Sequence, residues 1–197
     1  MDTLLVKKEA LDLLSLITGK NLSQKDITPP VIFLASLVTV LLGVIFIDGK
    51  VAESEKKRLL TTLYSFSMPE SDVRRLTHLM IKGVKENQLY GKSNDVLTLT
   101  ATLTESQRLL LIGFGYEMSA ADGEMDSREK QYLQILAKGL GIKSQYLAVF
   151  EAAFTHQQNL DSTIVEEVRF LLDPVRFQEL DAVFVKAARD MLTILPA

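Results

Sequence analysis

Four acidic side chains crowd one short stretch, Ser119-Ala120-Ala121-Asp122-Gly123-Glu124-Met125-Asp126-Ser127-Arg128-Glu129. Asp122, Glu124, Asp126 and Glu129 offer hard oxygen ligands of the kind that suit Ca²⁺ or Mg²⁺. The stretch is not an EF-hand, because Asp122 and Glu129 are seven residues apart rather than eleven. A full cage would need ligands from elsewhere in the chain or from water. Read as structure, the stretch is a helix end, a tight turn and a helix start. Gly123 enters the left-handed position after a helix without steric cost. Asp126 is a strong N-cap, and Glu129 three places later completes a capping box. Asp122 falls in a last helical turn, where the dipole disfavours a carboxylate by about 0.3 to 1 kcal/mol. Either backbone N–H groups of the next helix or a bound cation must offset that cost. In the metal-free alternative, Asp122 and Glu129 merely cap and tie the turn.

The pattern Asp-Gly-x-apolar-x-x-x-Glu is written twice. Asp48, Gly49, Val51 and Glu55 match Asp122, Gly123, Met125 and Glu129 at one constant offset. Carried onward, the same offset pairs Leu59 with Leu133 and Met68 with Ile142. An ungapped match through a turn and a helix points to internal duplication. The copies differ in charge: Lys50 and Ala52 stand where the second copy has Glu124 and Asp126, and Phe46-Ile47 replaces Ala120-Ala121.

This doubled motif, over roughly residues 29–155, resembles the TerB family of tellurite-resistance proteins. The related N-terminal domain of the DjlA co-chaperones shares it. The resemblance implies an all-helical, pseudo-two-fold domain with an acidic cluster for divalent metal. The candidate ligands are then Asp122, Glu124, Asp126 and Glu129, with Asp48 and Glu55 from the first copy.

Composition excludes other chemistries. The chain has 197 residues, 47% hydrophobic and 24% charged, with a net charge of −3, so no general affinity for nucleic acid follows. It has no Cys and only His78 and His156, which argues against thiolate, zinc and copper sites. There is no P-loop, no Gly-x-Ser-x-Gly and no dinucleotide fingerprint; Gly113-Phe114-Gly115 lacks the third glycine and lies within a helical pattern. Catalysis is not expected. No signal peptide is visible, since Lys7, Lys8 and Glu9 interrupt the first segment.

The elements that must position the acidic turns follow from periodicity. An amphipathic helix is expected over 2–18, ending at Gly19, and then a polar linker over 20–28. The uncharged run 31–47 is near the lower length for a membrane span; we expect instead a helix buried on all sides. A helix over 52–66 should turn Leu59, Leu60, Leu63 and Phe66 inward. The next, 69–86, should bury Val73, Leu76, Met80 and Val84, with His78 beside that stripe. After a loop at 87–93, Asn94 should cap a short helix. Thr104 and Gln107 form a capping box that starts the helix 105–121. Helices over 127–138 and 145–155 follow, the latter capped by Ser144. The tail should hold a helix from Ser162 or Thr163 to Leu172, a break at Asp173-Pro174, and a final helix capped by Asp181.

The expectation is therefore an all-α, TerB-like bundle of about nine helices with a pseudo-two-fold duplication. An N-terminal helix and linker (1–27) precede the duplicated domain (28–158, repeats about 31–86 and 105–155), and a helical extension (159–197) packs on it. The expected function is a non-enzymatic, cytoplasmic module for a divalent cation, Ca²⁺ or Mg²⁺, linked to stress or tellurite resistance. The alternative is a metal-independent protein-interaction module of the DjlA N-terminal type. The partner is an unknown protein and not nucleic acid; a peripheral membrane complex and a homodimer both stay open.

Overall fold

A computed structural model describes residues 7–47, 49, 51, 53–65, 72–121, 123, 125–155 and 160–196. Asp48, Asp122 and Glu124 lie outside the described residues, as do residues 2–6, Phe66 and His156. Ten α-helices and three short 3₁₀ turns make up the described elements, with no strand among them. All-α is therefore the fold class, one helix more than about nine.

Helix α2 (Pro29–Ile47) is the axis of the molecule. Thr28 O accepts from the N–H groups of Val31 and Ile32, and Pro29 and Pro30 occupy first-turn positions that need no donor. From Ile32 to Ile45 every residue is buried. The Ser36 and Thr39 hydroxyls donate to the Ile32 and Ala35 carbonyls one turn back, so no polar group in the core goes unmet there. α2 is the one described helix long and apolar enough to cross a membrane, and it is enclosed by protein. Its neighbours are α4 (Asp72–Asn87), α5 (Ser93–Thr100), α6 (Glu105–Ser119), α7 (Ser127–Gly139) and α3 (Glu53–Ser65). Gly43 is where α7 comes closest: a Cβ there would lie 2.0 Å from the Tyr132 hydroxyl.

The duplication is visible in the packing. α2 and α6 are equivalent, as are α3 and α7, and each first helix packs on the second helix of both copies. Gly49 and Gly123 both adopt left-handed backbone, with φ of 75° and 91°. Each N–H then donates to the carbonyl three residues back, Phe46 at 3.2 Å and Ala120 at 3.1 Å. The Gly43–Tyr132 contact has its counterpart in an ion pair between Glu117 of α6 and Arg58 of α3, at 3.5 Å. Burial pushes the Glu117 carboxyl up; Arg58 opposes this and Asp190 adds to it.

Outer elements complete the layers. α1 (Lys8–Thr18) ends at left-handed Gly19 and packs on α4 and α5. α8 (Ser144–Thr155) packs on α6, α7 and α9 (Ser162–Leu171), and α10 (Ala182–Ile194) reaches α6. Several local expectations need correcting. Leu60 and Val73 are exposed rather than buried, because α3 meets the core through the narrow row Glu55, Leu59 and Leu63, and the buried row of α4 begins at Thr77. α5 starts at Ser93 after Lys92, so Asn94 is not its cap. The linker holds a 3₁₀ turn (Gln24–Asp26). α9 starts at Ser162 as expected, capped by Asp161, which accepts from the Thr163 N–H. Asp181 precedes α10 without a capping side-chain bond.

Candidate metal centre

The capping box predicted at the second turn is formed. The Asp126 carboxylate accepts from the Arg128 N–H at 2.7 Å, and Glu129 Oε2 accepts from the Asp126 N–H at 3.3 Å. Asp126 also pairs with the Arg128 guanidinium at 3.2 Å. Its charge is therefore shared between a helix N-terminus and a cation of its own chain. It faces half-exposed surroundings, unlike the glutamate it caps with.

Glu129 is nearly enclosed, at 5% exposure, and Glu55 is likewise enclosed at 6%. These are the two equivalent glutamates of the duplication, and their carboxyl groups lie close enough for each to act on the other's proton. Two buried carboxyls so placed favour one of them holding a proton, since buried like charges repel. Burial is the main reason that the Glu129 carboxyl is pushed up to about 7. The bonds from Ser119 and the Asp126 N–H oppose the rise, and the facing Glu55 reinforces it. Ser119 Oγ donates to Glu129 Oε2 at 2.7 Å from the last turn of α6. So three elements, α3, α6 and α7, converge on one carboxyl pair.

Of the six residues proposed from sequence, Glu55 and Glu129 are brought together, and Asp126 stands at the adjoining cap. Asp48, Asp122 and Glu124 fall outside the described residues. Among the described residues no group of three acidic, His or Cys side chains forms. The donor set nonetheless fits a hard divalent ion: two carboxylates and a hydroxyl, all oxygen, meet in a site that already requires one positive charge. A cation there would replace the shared proton.

Sequence reasoning did not single out Ser119. A signal was present, since the equivalent position in the first copy is Ile45, so the hydroxyl belongs to the second copy alone. His78 is a surface residue held by the Tyr64 hydroxyl at 2.8 Å from Nδ1, away from this site.

Behind the site, the buried Tyr116 hydroxyl of α6 donates to Glu151 of α8 at 3.3 Å, and Lys130 of α7 donates to the same carboxylate at 2.8 Å. These bonds hold α7, and with it Glu129, against α6 and α8.

Comparison with family models matches residues 34–152, more than half of the chain, to the family described as tellurite resistance protein TerB. No curated protein and no solved structure matches.

Proposed function

The chain belongs to the TerB family, and on that premise we propose that it is a non-enzymatic helical module that binds a divalent cation. Its ligands are Glu55 and Glu129, and the ion is Ca²⁺ or Mg²⁺. The observation that carries this reading is the buried carboxyl pair, one member from each repeat, which needs one proton or one cation to exist. Asp122 and Glu124 complete the acidic turn beside it and are the further candidate ligands in sequence. The module works in the cytoplasm, in an assembly linked to tellurite resistance or stress. The absence of Cys and the enclosure of α2 within protein support that location.

Thermal melting with added metal tests this. A ligand at tenfold excess over its Kd adds about 1.4 kcal/mol of stability. The melting temperature should rise in millimolar Ca²⁺ or Mg²⁺ and fall back with chelator. No shift with Ca²⁺, Mg²⁺ or Mn²⁺ overturns the reading.

A second reading rests on Ser119 and the Asp126 N–H, which satisfy Glu129 without any ion. In it the protein is a metal-independent interaction module of the DjlA N-terminal type, and the melting temperature ignores the metal.

A further inference from the structure

We propose that the cleft between α5, α7 and the end of α2 receives the apolar face of an acidic amphipathic helix from a protein partner. The duplication supplies the argument. On α3, Arg58, Thr61, Thr62 and Ser65 line a groove against α6. On α7, the same repeat positions are Tyr132, Ile135, Leu136 and Gly139, and they line a cleft against the end of α2. The α3 wall of one groove and the α7 wall of the other therefore occupy the same repeat positions.

The first groove shows what such a surface takes. α10 covers it with Ala187, Asp190, Met191 and Ile194. That spacing, i, i+3, i+4 and i+7, is one face of an amphipathic helix. What remains open there is about 180 Å³. Among the described residues, the second groove is covered by the 3₁₀ turn at Tyr90 and Gly91 and by α5, an eight-residue helix that contributes Ser93, Val96 and Leu97. It stops short of a full stripe and leaves about 440 Å³. Ile47 and Ile135 stand at that opening, 41% and 58% exposed.

Chemistry separates the two copies and defines the occupant. The positions of Thr61 and Thr62 become Ile135 and Leu136, so the wall that faces Asp190 of α10 in one groove is aliphatic in the other. A helix seated on α7 should accordingly be apolar at all four stripe positions. Two lysines stand beside the cleft. Lys92 adjoins Gly91 and Ser93 in sequence, and Lys85 lies 5.6 Å over the Phe46 ring, which stacks on Tyr90 of the wall; Arg128 also lines the cleft, with its charge already met by Asp126. Glutamates flanking the stripe would meet those charges. The Tyr132 hydroxyl is buried against Gly43 and has no hydrogen-bond partner, so it leaves the cleft wall apolar.

The full chain can be titrated with a labelled synthetic helix carrying Leu at i, i+3, i+4 and i+7 and Glu beside the stripe. Fluorescence anisotropy reads binding. Saturable binding is expected, and Ile135→Glu should weaken it at least tenfold. Gln131→Glu, at the rim, should weaken it through charge alone. Val175→Glu, an exposed site that does not line the cleft, should leave it unchanged. Ile135 is largely exposed, so its variant should fold, which its melting temperature verifies. A scrambled peptide of the same composition that binds equally, indifference to Ile135→Glu, or failure of the stripe peptide to bind overturns the proposal. Dodecanoate binding that is sensitive to Ile135→Glu, without peptide binding, would overturn it in favour of a site for an acyl chain.

Discussion

In the metal-free protein the buried carboxyl pair should make stability fall as pH rises through weak acid. Glu129 titrates near 7 in the fold against 4.5 for a free glutamate. Between those values the folded chain holds a proton that the unfolded chain has released. Stability then drops with pH, by at most about 1.4 kcal/mol per pH unit for one proton. Integrated from pH 5 to pH 7, one such group costs about 2 kcal/mol. For a chain of this size that corresponds to a fall in Tm of about 4 to 8 °C. Glu117, also raised by burial, contributes with the same sign, so the comparison must be differential. Glu129→Gln offers Glu55 an amide donor in place of the protonated carboxyl, and it cannot titrate. Urea unfolding in chelator at the two pH values should show the wild type losing about 2 kcal/mol more than Glu129→Gln. Equal losses in the two proteins would refute the shared-proton pair.

Four further outcomes are expected, two from the packing and two from the sequence of the turns. Gly43→Leu should destabilise the protein by about 1 to 3 kcal/mol, because the side chain collides with Tyr132; Tyr132→Phe should be neutral or stabilising in a thermal melt, since the hydroxyl it removes has no partner. Asp122→Asn should abolish the metal-dependent rise in Tm while costing little without metal, because the sequence puts that charge where a helix dipole disfavours it. Ala52 cannot cap where the second copy has Asp126, which in sequence leaves Asp48 to serve the first turn's backbone; Asp48→Ala should therefore lower metal-free stability by about 0.5 to 2 kcal/mol, and similar behaviour of the two variants would refute a metal role for Asp122 with a capping role for Asp48.

The turns were legible because their physics is local. Left-handed Gly49 and Gly123, the Thr104 box and the Asp126 box all follow from residue type and a spacing of three. The enclosure of α2 was legible as well, since an uncharged run without flanking anchors has few other places to go. Side-chain facing was less so. Leu60 and Val73 match a helical stripe in sequence, yet which row is covered depends on how wide a face the neighbours present. The carboxyl pair shows this limit most plainly. The repeat names Glu55 and Glu129 as equivalents, but only the way α3 and α7 pack about α2 and α6 brings them into contact. Ser119 joins them through tertiary placement, which no local rule supplies.

The most direct measurement is calorimetric titration of Ca²⁺ and Mg²⁺ into the metal-free protein at pH 6, in two buffers of different ionisation enthalpy. At that pH the pair still holds its proton, because Glu129 titrates near 7. A cation that takes the proton's place must release it, so the observed heat should differ between the buffers by close to one proton per ion bound. Glu129→Gln should bind more weakly and release none. Binding with no proton release in the wild type, or no binding of either ion, would contradict the account.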